Sequence, residues 1–230
     1  MEIARAADDR GELALARRGD VLELVVDGVF AMDSTQPSTE RALARLALDR
    51  LAPARQTAAL QAAGRASGPG LHVLVGGLGL GYTARTLLDD PAVAAIEVVE
   101  LHPALVDWAH RGLLPQLADD DPRLTLTIGD VLDIVPARHG LDAVLLDVDN
   151  GPDFLVHQGN AAVYGSPFLA AAFGSLAPGG VLAIWSADRS PTLHRALTQL
   201  TGGCEEVLLE VARERRVFEY ALYLVERPTG

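Results

Sequence analysis

The chain has 230 residues, 49% of them hydrophobic, and a formal net charge of −12 at pH 7. This length and apolar content suit one α/β domain with a small appendage, and they exclude a disordered chain. The negative charge argues against nucleic acid or an anionic membrane as a partner, because binding phosphate groups requires a basic surface.

The chain begins with a charged stretch, MEIARAADDRGE, that lacks the apolar segment of a secretory signal. Cys204 is the single cysteine, so an internal disulfide framework is excluded. No apolar run reaches the ~20 residues that span a bilayer. These features predict a protein of the reducing cytoplasm.

Residues 1–36 predict a small antiparallel β unit. Three β-rich runs at 12–18, 21–28 and 29–34 are separated by short turns. Exposed strand edges in such a unit favour a homodimer. Residues 37–70 follow as a long helical segment and a linker.

Residues 71–230 alternate apolar runs with helical patterns, which predicts a parallel sheet covered on both faces. The predicted strands are 71–77, 95–101, 124–130, 141–148 and 181–187, and the predicted helices are 80–90, 103–117, 166–180 and 191–203. The last two runs, 205–213 and 216–227, are too close for a crossover helix and should pair antiparallel. We expect an open, mostly parallel, seven-stranded Rossmann-like sheet ending in an antiparallel hairpin. This layout is that of the class I S-adenosylmethionine (AdoMet)-dependent methyltransferase fold.

A glycine-rich segment follows the first predicted parallel strand. In VLVGGLGLGYTAR, residues 73–85, Gly77, Gly79 and Gly81 lie where the strand turns into a helix. Glycines at this place let a ligand approach the backbone, and the helix N-terminus offers free N–H groups. A tight turn without a ligand would also use glycines, so the motif alone is a weak signal.

Two acidic residues end the next strands and strengthen the prediction of a nucleoside site. Glu100 ends the second strand, where a carboxylate can accept hydrogen bonds from both ribose hydroxyls. Asp130 ends the third strand, beside the expected position of the base and its exocyclic amine. The glycines are spaced two and two, unlike the G-x-G-x-x-G of NAD-binding domains. This spacing and the terminal hairpin favour AdoMet or decarboxylated AdoMet as a co-substrate, since a cationic sulfonium suits an acidic crevice.

The fourth strand supplies a candidate base. In LDAVLLDVDNGP, residues 141–152, Asp147 ends the strand at the lip of the crevice, where it can accept a proton from an amine. Asp149, Tyr164 and Trp185 are candidates to bind the amine substrate, although Asp149 also suits a turn and the two aromatics also suit packing. The six histidines have no metal-ligand spacing, so we expect no metal.

These motifs, in this order, resemble the spermidine/spermine synthase family over residues 71 to about 188. The resemblance implies a methyltransferase-like fold, dimers or tetramers, and transfer of an aminopropyl group from decarboxylated AdoMet to an amine. It implies that Glu100 binds ribose, Asp130 the adenine, and that Asp147 deprotonates the amine.

The sequence departs from the family pattern around the amine. Leu80 replaces an aspartate of the glycine loop, and Ser38-Thr39 replaces a Tyr-His pair, although the acid after it is kept as Glu40. A glutamine that the family has nearby is replaced here by Ala31 or Met32, and a second family glutamine is replaced around Trp185. We therefore predict a spermidine synthase-like transferase. The alternatives are an AdoMet-dependent methyltransferase acting on a small molecule, and a non-catalytic nucleoside-binding or interaction protein.

Overall fold

The structure, a computed structural model, describes residues 1–8, 10–61, 70–117, 120–148, 151–152, 158–213 and 216–229. Its eleven strands are β1 Glu2–Asp8, β2 Gly11–Arg18, β3 Val21–Val26, β4 Val29–Asp33, β5 Leu71–Gly76, β6 Val93–Glu100, β7 Leu124–Ile128, β8 Leu141–Leu146, β9 Leu176–Ser186, β10 Glu205–Arg213 and β11 Arg216–Glu226. Its six α-helices are α1 Ser38–Gln61, α2 Tyr82–Leu88, α3 Pro103–His110, α4 Val131–Ile134, α5 Ser166–Ser175 and α6 Pro191–Thr201. Short 3₁₀ turns cover 115–117, 135–137 and 158–164.

The larger sheet has seven strands in the order β10-β11-β9-β8-β5-β6-β7. Strands β5 to β9 run parallel, and β11 pairs antiparallel with both β9 and β10. This confirms the predicted open, mostly parallel sheet that ends in an antiparallel hairpin. The strand order reverses beside β5, whose neighbours are β6 and β8, so the crevice predicted for a ligand lies at the carboxyl ends of these strands.

The N-terminal unit is a separate antiparallel sheet of four strands, β1 to β4. The sequence predicted three strands and missed β1, because its segment EIARAAD is rich in alanine and charge, which have low β propensity. Pairing with β2 through six register positions stabilises β1 in spite of this composition.

Two hydrophobic clusters fill the two sides of the larger sheet. The first joins the N-terminal sheet and helices α1, α2 and α3 to one face of the sheet. The second packs helices α5 and α6 on the opposite face. The core therefore fixes the N-terminal sheet on the face that leads to the glycine loop. Within the described residues, no helix is long and apolar enough to cross a lipid bilayer.

Several element boundaries differ from the prediction, and the largest differences are at the ends of α3 and α5 and at the start of β9. Helix α3 ends at His110, because Gly112 adopts the left-handed conformation (φ +71°) that terminates helices. Strand β9 begins at Leu176, five residues earlier than predicted. Gly179 and Gly180 there exchange backbone hydrogen bonds with Arg227, which extends the pairing with the chain end.

Candidate functional site

A cavity of about 180 Å³ opens at the carboxyl ends of the central parallel strands. The parallel pairing of β8, β5, β6 and β7 brings together the residues that follow each strand. The predicted site residues that line the cavity are Gly77, Gly79, Glu100, Asp130, Asp147 and Trp185. Residues that are distant in sequence therefore meet at one place, as their strand-end positions predicted.

The glycine loop between β5 and α2 is compact because it packs against the protein itself. Gly77, Gly79 and Gly81 all have positive φ, between +50° and +92°. A Cβ at Gly77 would overlap the carbonyl oxygen of Asp147, and a Cβ at Gly79 would lie 2.8 Å from the Met32 sulfur. Gly81 is the N-cap of α2 and packs on Leu117, outside the cavity lining. The sequence pattern correctly predicted the position of the loop. It did not predict the close packing that makes glycine necessary at these positions.

Glu100 is fixed by backbone donors at the end of β6. Its Oε2 accepts the N–H of Leu78 at 2.9 Å, and its Oε1 accepts the N–H of His102 at 2.8 Å. Burial raises the pKa of this carboxyl, and the backbone donors oppose that rise. The Leu101 N–H is a third backbone donor to this carboxylate, which has about four acceptor sites and so retains capacity for a further donor. The group is thus oriented toward the cavity.

Asp130 lies next to Glu100, at the end of β7. Its Oδ1 accepts the N–H of Leu132 at 2.8 Å and so caps the short helix α4. The N–H of Gly129 donates to the carbonyl of Glu100 at 2.9 Å, which fixes the two strand ends relative to each other. Glu100 and Asp130 therefore form one rigid acidic edge of the cavity.

Asp147 lies at the other edge, directly after β8. Its Oδ2 accepts the hydroxyl of Thr83 at 2.8 Å, and its backbone N–H donates to the carbonyl of Gly76 at 2.8 Å. The pKa of Asp147 is raised to about 7: burial contributes most to the rise, the negative charge of Glu40 adds to it, and the Thr83 hydroxyl opposes it. A carboxyl with this pKa can take up and release a proton near neutral pH.

Glu40 accompanies Asp147 from a distant part of the chain. It lies in the first turn of α1, its side chain is buried, and its Oε2 accepts the Thr39 hydroxyl at 2.7 Å. The Glu40 carbonyl oxygen lies 3.5 Å from the Thr83 hydroxyl that binds Asp147. Thr83 thus links the Asp147 carboxyl to the backbone of Glu40, and the Glu40 carboxyl is bound by Thr39.

The remaining predicted substrate residues have different positions. Trp185 is buried and lines the cavity, its ring lies 5.5 Å from the Tyr220 ring, and its indole N–H has no hydrogen-bond partner. Tyr164 packs in the core cluster on the opposite face of the sheet and does not belong to the described cavity lining. Asp149 lies outside the described residues.

The described cavity lining also contains residues that sequence reasoning did not place there. Thr83, His102 and Asn160 belong to this group. Thr83 follows the glycine loop by two residues, and His102 follows Glu100 by two, so proximity to the motifs was an available signal. Asn160 comes from the 158–164 turn, and only the tertiary fold brings it to the site.

The lining is strongly acidic. Among the described lining residues, four carry carboxyl groups, Glu40, Glu100, Asp130 and Asp147, and His102 is the single basic group. This composition suits a cationic ligand and disfavours a diphosphate. The described part of the chain contains no group of three or more His, Cys, Asp or Glu side chains arranged to bind a metal ion.

Comparison with known proteins gives both sequence relatives and structural neighbours. The chain is 32% identical over 181 residues to a polyamine aminopropyltransferase of Mycobacterium tuberculosis, which covers 75% of this chain and 30% of that protein. It is 32% identical over 142 residues to putrescine N-methyltransferase 2 of Nicotiana attenuata, 59% of this chain and 36% of that protein. The matched region spans about a third of the length of these curated relatives. No protein-family model matches the chain.

The fold itself is shared with spermidine synthases. A spermidine synthase crystallised with the transition-state analogue AdoDATO superimposes with a TM-score of 0.80. That match covers 100% of this chain and 74% of the other, at 15% sequence identity. The relatives and neighbours named here are all transferases by name. Fold and sequence similarity together confirm the resemblance to spermidine synthases, on a class I methyltransferase fold, that the motifs predicted.

Proposed function

We propose that the protein transfers an aminopropyl group from a decarboxylated AdoMet-type sulfonium nucleoside to an amine, with Asp147 as the base. The observation that carries this proposal is the carboxyl of Asp147, whose pKa is raised to about 7, in the same acidic cavity as Glu100 and Asp130. The names of the relatives, which include an aminopropyltransferase and putrescine N-methyltransferases, support alkyl transfer to an amine.

The nucleoside would bind at the Glu100 edge. Glu100 is oriented by the N–H groups of Leu78 and His102 and keeps acceptor capacity for a ribose hydroxyl. The Oδ1 of Asp130 is occupied by the helix cap, so its Oδ2 would accept from the exocyclic amine of the base. The acidic lining would stabilise the positive charge of the sulfonium.

Bond making and proton transfer would take place at the Asp147 edge. The sulfonium supplies an electrophilic carbon, so that the N–C bond forms as the C–S bond breaks and its electron pair stays on sulfur. The Asp147 carboxylate accepts the proton that the amine nitrogen loses. Its raised pKa narrows the gap to the pKa of an amine, near 10 in water, and makes this transfer more favourable. Positioning of the amine by Asp147 and Glu40 supplies the orientation.

A second candidate is methyl transfer from AdoMet itself. Leu80 favours it, because this buried apolar side chain lies in the glycine loop at the place of an acidic residue that would repel the carboxylate of the full cofactor. Transfer of a methyl group would use the same base and the same amine site. The two candidates therefore differ only in the donor.

Titration calorimetry with decarboxylated AdoMet, AdoMet and methylthioadenosine tests the donor assignment. We expect the decarboxylated donor to bind at least tenfold more tightly than AdoMet, and the reverse preference would support the methyltransferase. If none of the three binds, the nucleoside site is wrong. Binding without transfer to any amine would favour the non-catalytic alternative.

Asp147→Asn tests the base. We expect product formation to fall at least about 10³-fold, within the range attributed to general bases, while the affinity for methylthioadenosine stays within threefold. Asp107→Asn, at an exposed acid on α3, serves as the matched control. Unchanged turnover in Asp147→Asn would rule out the base assignment.

A further inference from the structure

We propose that Met32 is a specificity-determining residue for the donor: its thioether occupies a backbone N–H of the glycine loop and so disfavours a donor that carries a carboxylate. This inference rests on the proposed function and names the residue behind the expected preference for a decarboxylated nucleoside. It follows from the way in which the N-terminal sheet contacts the glycine loop.

The glycine loop connects the two edges of the cavity. On one side, the Leu78 N–H donates to the Glu100 carboxylate at 2.9 Å. On the other side, the Asp147 N–H donates to the Gly76 carbonyl at 2.8 Å, and the Asp147 carbonyl lies where a Cβ of Gly77 would be. A nucleoside whose ribose is held by Glu100, and whose reacting carbon faces Asp147, therefore has its sulfur and the substituents of that sulfur beside this loop.

Met32 contacts the loop at two consecutive residues. Its sulfur accepts the Leu80 N–H at 3.3 Å, and a Cβ at Gly79 would lie 2.8 Å from the same sulfur. Met32 belongs to strand β4, is partly buried, and lines the cavity together with Gly79 and Leu80. A substituent of the nucleoside sulfur that passes the loop therefore meets the thioether at the Leu80 N–H.

The N-terminal sheet holds this thioether in place. The Arg10 guanidinium of the sheet unit donates to the carbonyl of Leu101, directly after β6. Leu24 of the sheet belongs to the same hydrophobic cluster as Leu80, and Met32 packs against that cluster. The contact between Met32 and the loop is thus fixed by the packing of the sheet on the nucleoside side of the cavity.

The two donors differ in the group that would need the Leu80 N–H. The amino acid end of AdoMet carries a carboxylate, which requires hydrogen-bond donors, whereas decarboxylated AdoMet keeps only an ammonium, which donates. With Met32 on the N–H, a carboxylate meets the lone pairs of a sulfur and loses hydration beside apolar side chains, which is costly. An ammonium has no use for the N–H, and the thioether is a weak acceptor for it. Met32 therefore disfavours AdoMet more than its decarboxylated form.

Met32→Ala tests this inference. Calorimetry on the full chain measures the affinities for decarboxylated AdoMet, AdoMet and methylthioadenosine, which lacks the charged tail. We expect the wild-type chain to bind the decarboxylated donor at least tenfold more tightly than AdoMet. Met32→Ala should reduce this preference at least tenfold, because the Leu80 N–H becomes available to the AdoMet carboxylate. Methylthioadenosine affinity within threefold of wild type verifies that the variant is folded.

A second variant and a matched control isolate the hydrogen bond. Met32→Leu keeps the approximate volume of the side chain but cannot accept the Leu80 N–H, so it should shift the preference in the same direction by at least threefold. Val26 lines the cavity from the neighbouring strand β3, and its side chain has no acceptor atom to lose. Val26→Ala should therefore retain the wild-type ratio of the two donor affinities.

The outcomes separate this inference from the function on which it rests. An unchanged ratio in Met32→Leu, an equal shift in Val26→Ala, or a wild-type preference for AdoMet would each overturn the role of Met32. The proposed function survives the first two results if decarboxylated AdoMet still reacts with an amine. Failure of the wild-type chain to bind methylthioadenosine and both donors would instead overturn the nucleoside site itself.

Discussion

The two edges of the cavity are built in different ways. The nucleoside edge consists of the ends of neighbouring strands in one parallel sheet. Backbone N–H groups link these ends: Leu78 donates to the Glu100 carboxylate and Gly129 donates to the Glu100 carbonyl. The acceptor edge combines the end of β8 with the first turn of α1, more than 100 positions away in sequence. Local order thus specifies one edge, whereas long-range packing specifies the other. A related protein can therefore keep the same nucleoside edge while substitutions at the acceptor edge change which acceptor it binds.

The largest expected effect is at Gly77, where the two edges meet. Gly77 has φ +92°, and a Cβ there would overlap the Asp147 carbonyl. We expect Gly77→Ala to lower the free energy of unfolding by about 3–5 kcal/mol, from backbone strain and overpacking together. Gly112→Ala shares the positive φ but has open space around it, and should cost about 1–2 kcal/mol. Chemical denaturation measures both, and equal losses would mean that the contact with Asp147 is unimportant.

The next-largest effect is on nucleoside affinity, which a substitution at the nucleoside edge should lower without changing amine affinity. Glu100→Gln exchanges one acceptor oxygen for an NH₂ group, so either the Leu78 or the His102 N–H loses its partner and the ribose loses an acceptor. We expect methylthioadenosine to bind about 100-fold more weakly, which corresponds to about 2.7 kcal/mol. Calorimetry should find amine affinity within threefold of wild type. A comparable loss of amine binding would show that the two edges are not independent.

This contrast also explains what could be predicted from the sequence. Glu100, Asp130 and Asp147 were predicted because strand ends in a parallel sheet converge, whatever surrounds them. Tyr164 was predicted as a substrate residue that also suits packing, and it lies in the same hydrophobic cluster as Ile184. Because side chains alternate along β9, the next residue, Trp185, faces the cavity on the opposite side of the sheet. The family resemblance placed Ala31 or Met32 near the amine, but the contact of Met32 with the glycine loop was not predicted, because it depends on how a separate sheet packs. Residues whose position is set by tertiary packing are therefore the ones that sequence patterns miss.

The acceptor edge should also affect stability in a pH-dependent way. The pKa of Asp147 is about 7 in the folded chain and near 3.9 in an unfolded one, so the folded state binds the proton more tightly. Stability should therefore decrease as the pH rises from about 4 to 7 and then level off. We expect Asp147→Asn to be more stable than wild type by up to about 4 kcal/mol at pH 8, and equally stable near pH 4.

A control of opposite sign is available on the surface. Arg123 lowers the pKa of Asp121 to about 2, so Asp121 contributes stability above pH 4 that is lost as the pH falls toward 2. Asp121→Asn should thus be less stable than wild type at pH 8. Thermal denaturation between pH 4 and pH 8 measures both variants. If Asp147→Asn instead destabilised the protein at pH 8, its carboxyl would be charged and well solvated in the folded state.

The smallest expected effect concerns Thr83, whose hydroxyl links the Asp147 carboxyl to the backbone of Glu40. Its hydroxyl donates to Asp147 and lowers the pKa of that carboxyl, so removing the hydroxyl should move the pH profile of kcat/KM upward. We expect Thr83→Val to reduce kcat about fivefold, because the carboxylate loses one fixed hydrogen bond, and to leave methylthioadenosine affinity unchanged. Thr83→Ser retains the hydroxyl and should restore the wild-type profile. If Val and Ser variants have the same pH profile, Thr83 only fills space, and the orientation of Asp147 must come from its backbone bond to Gly76.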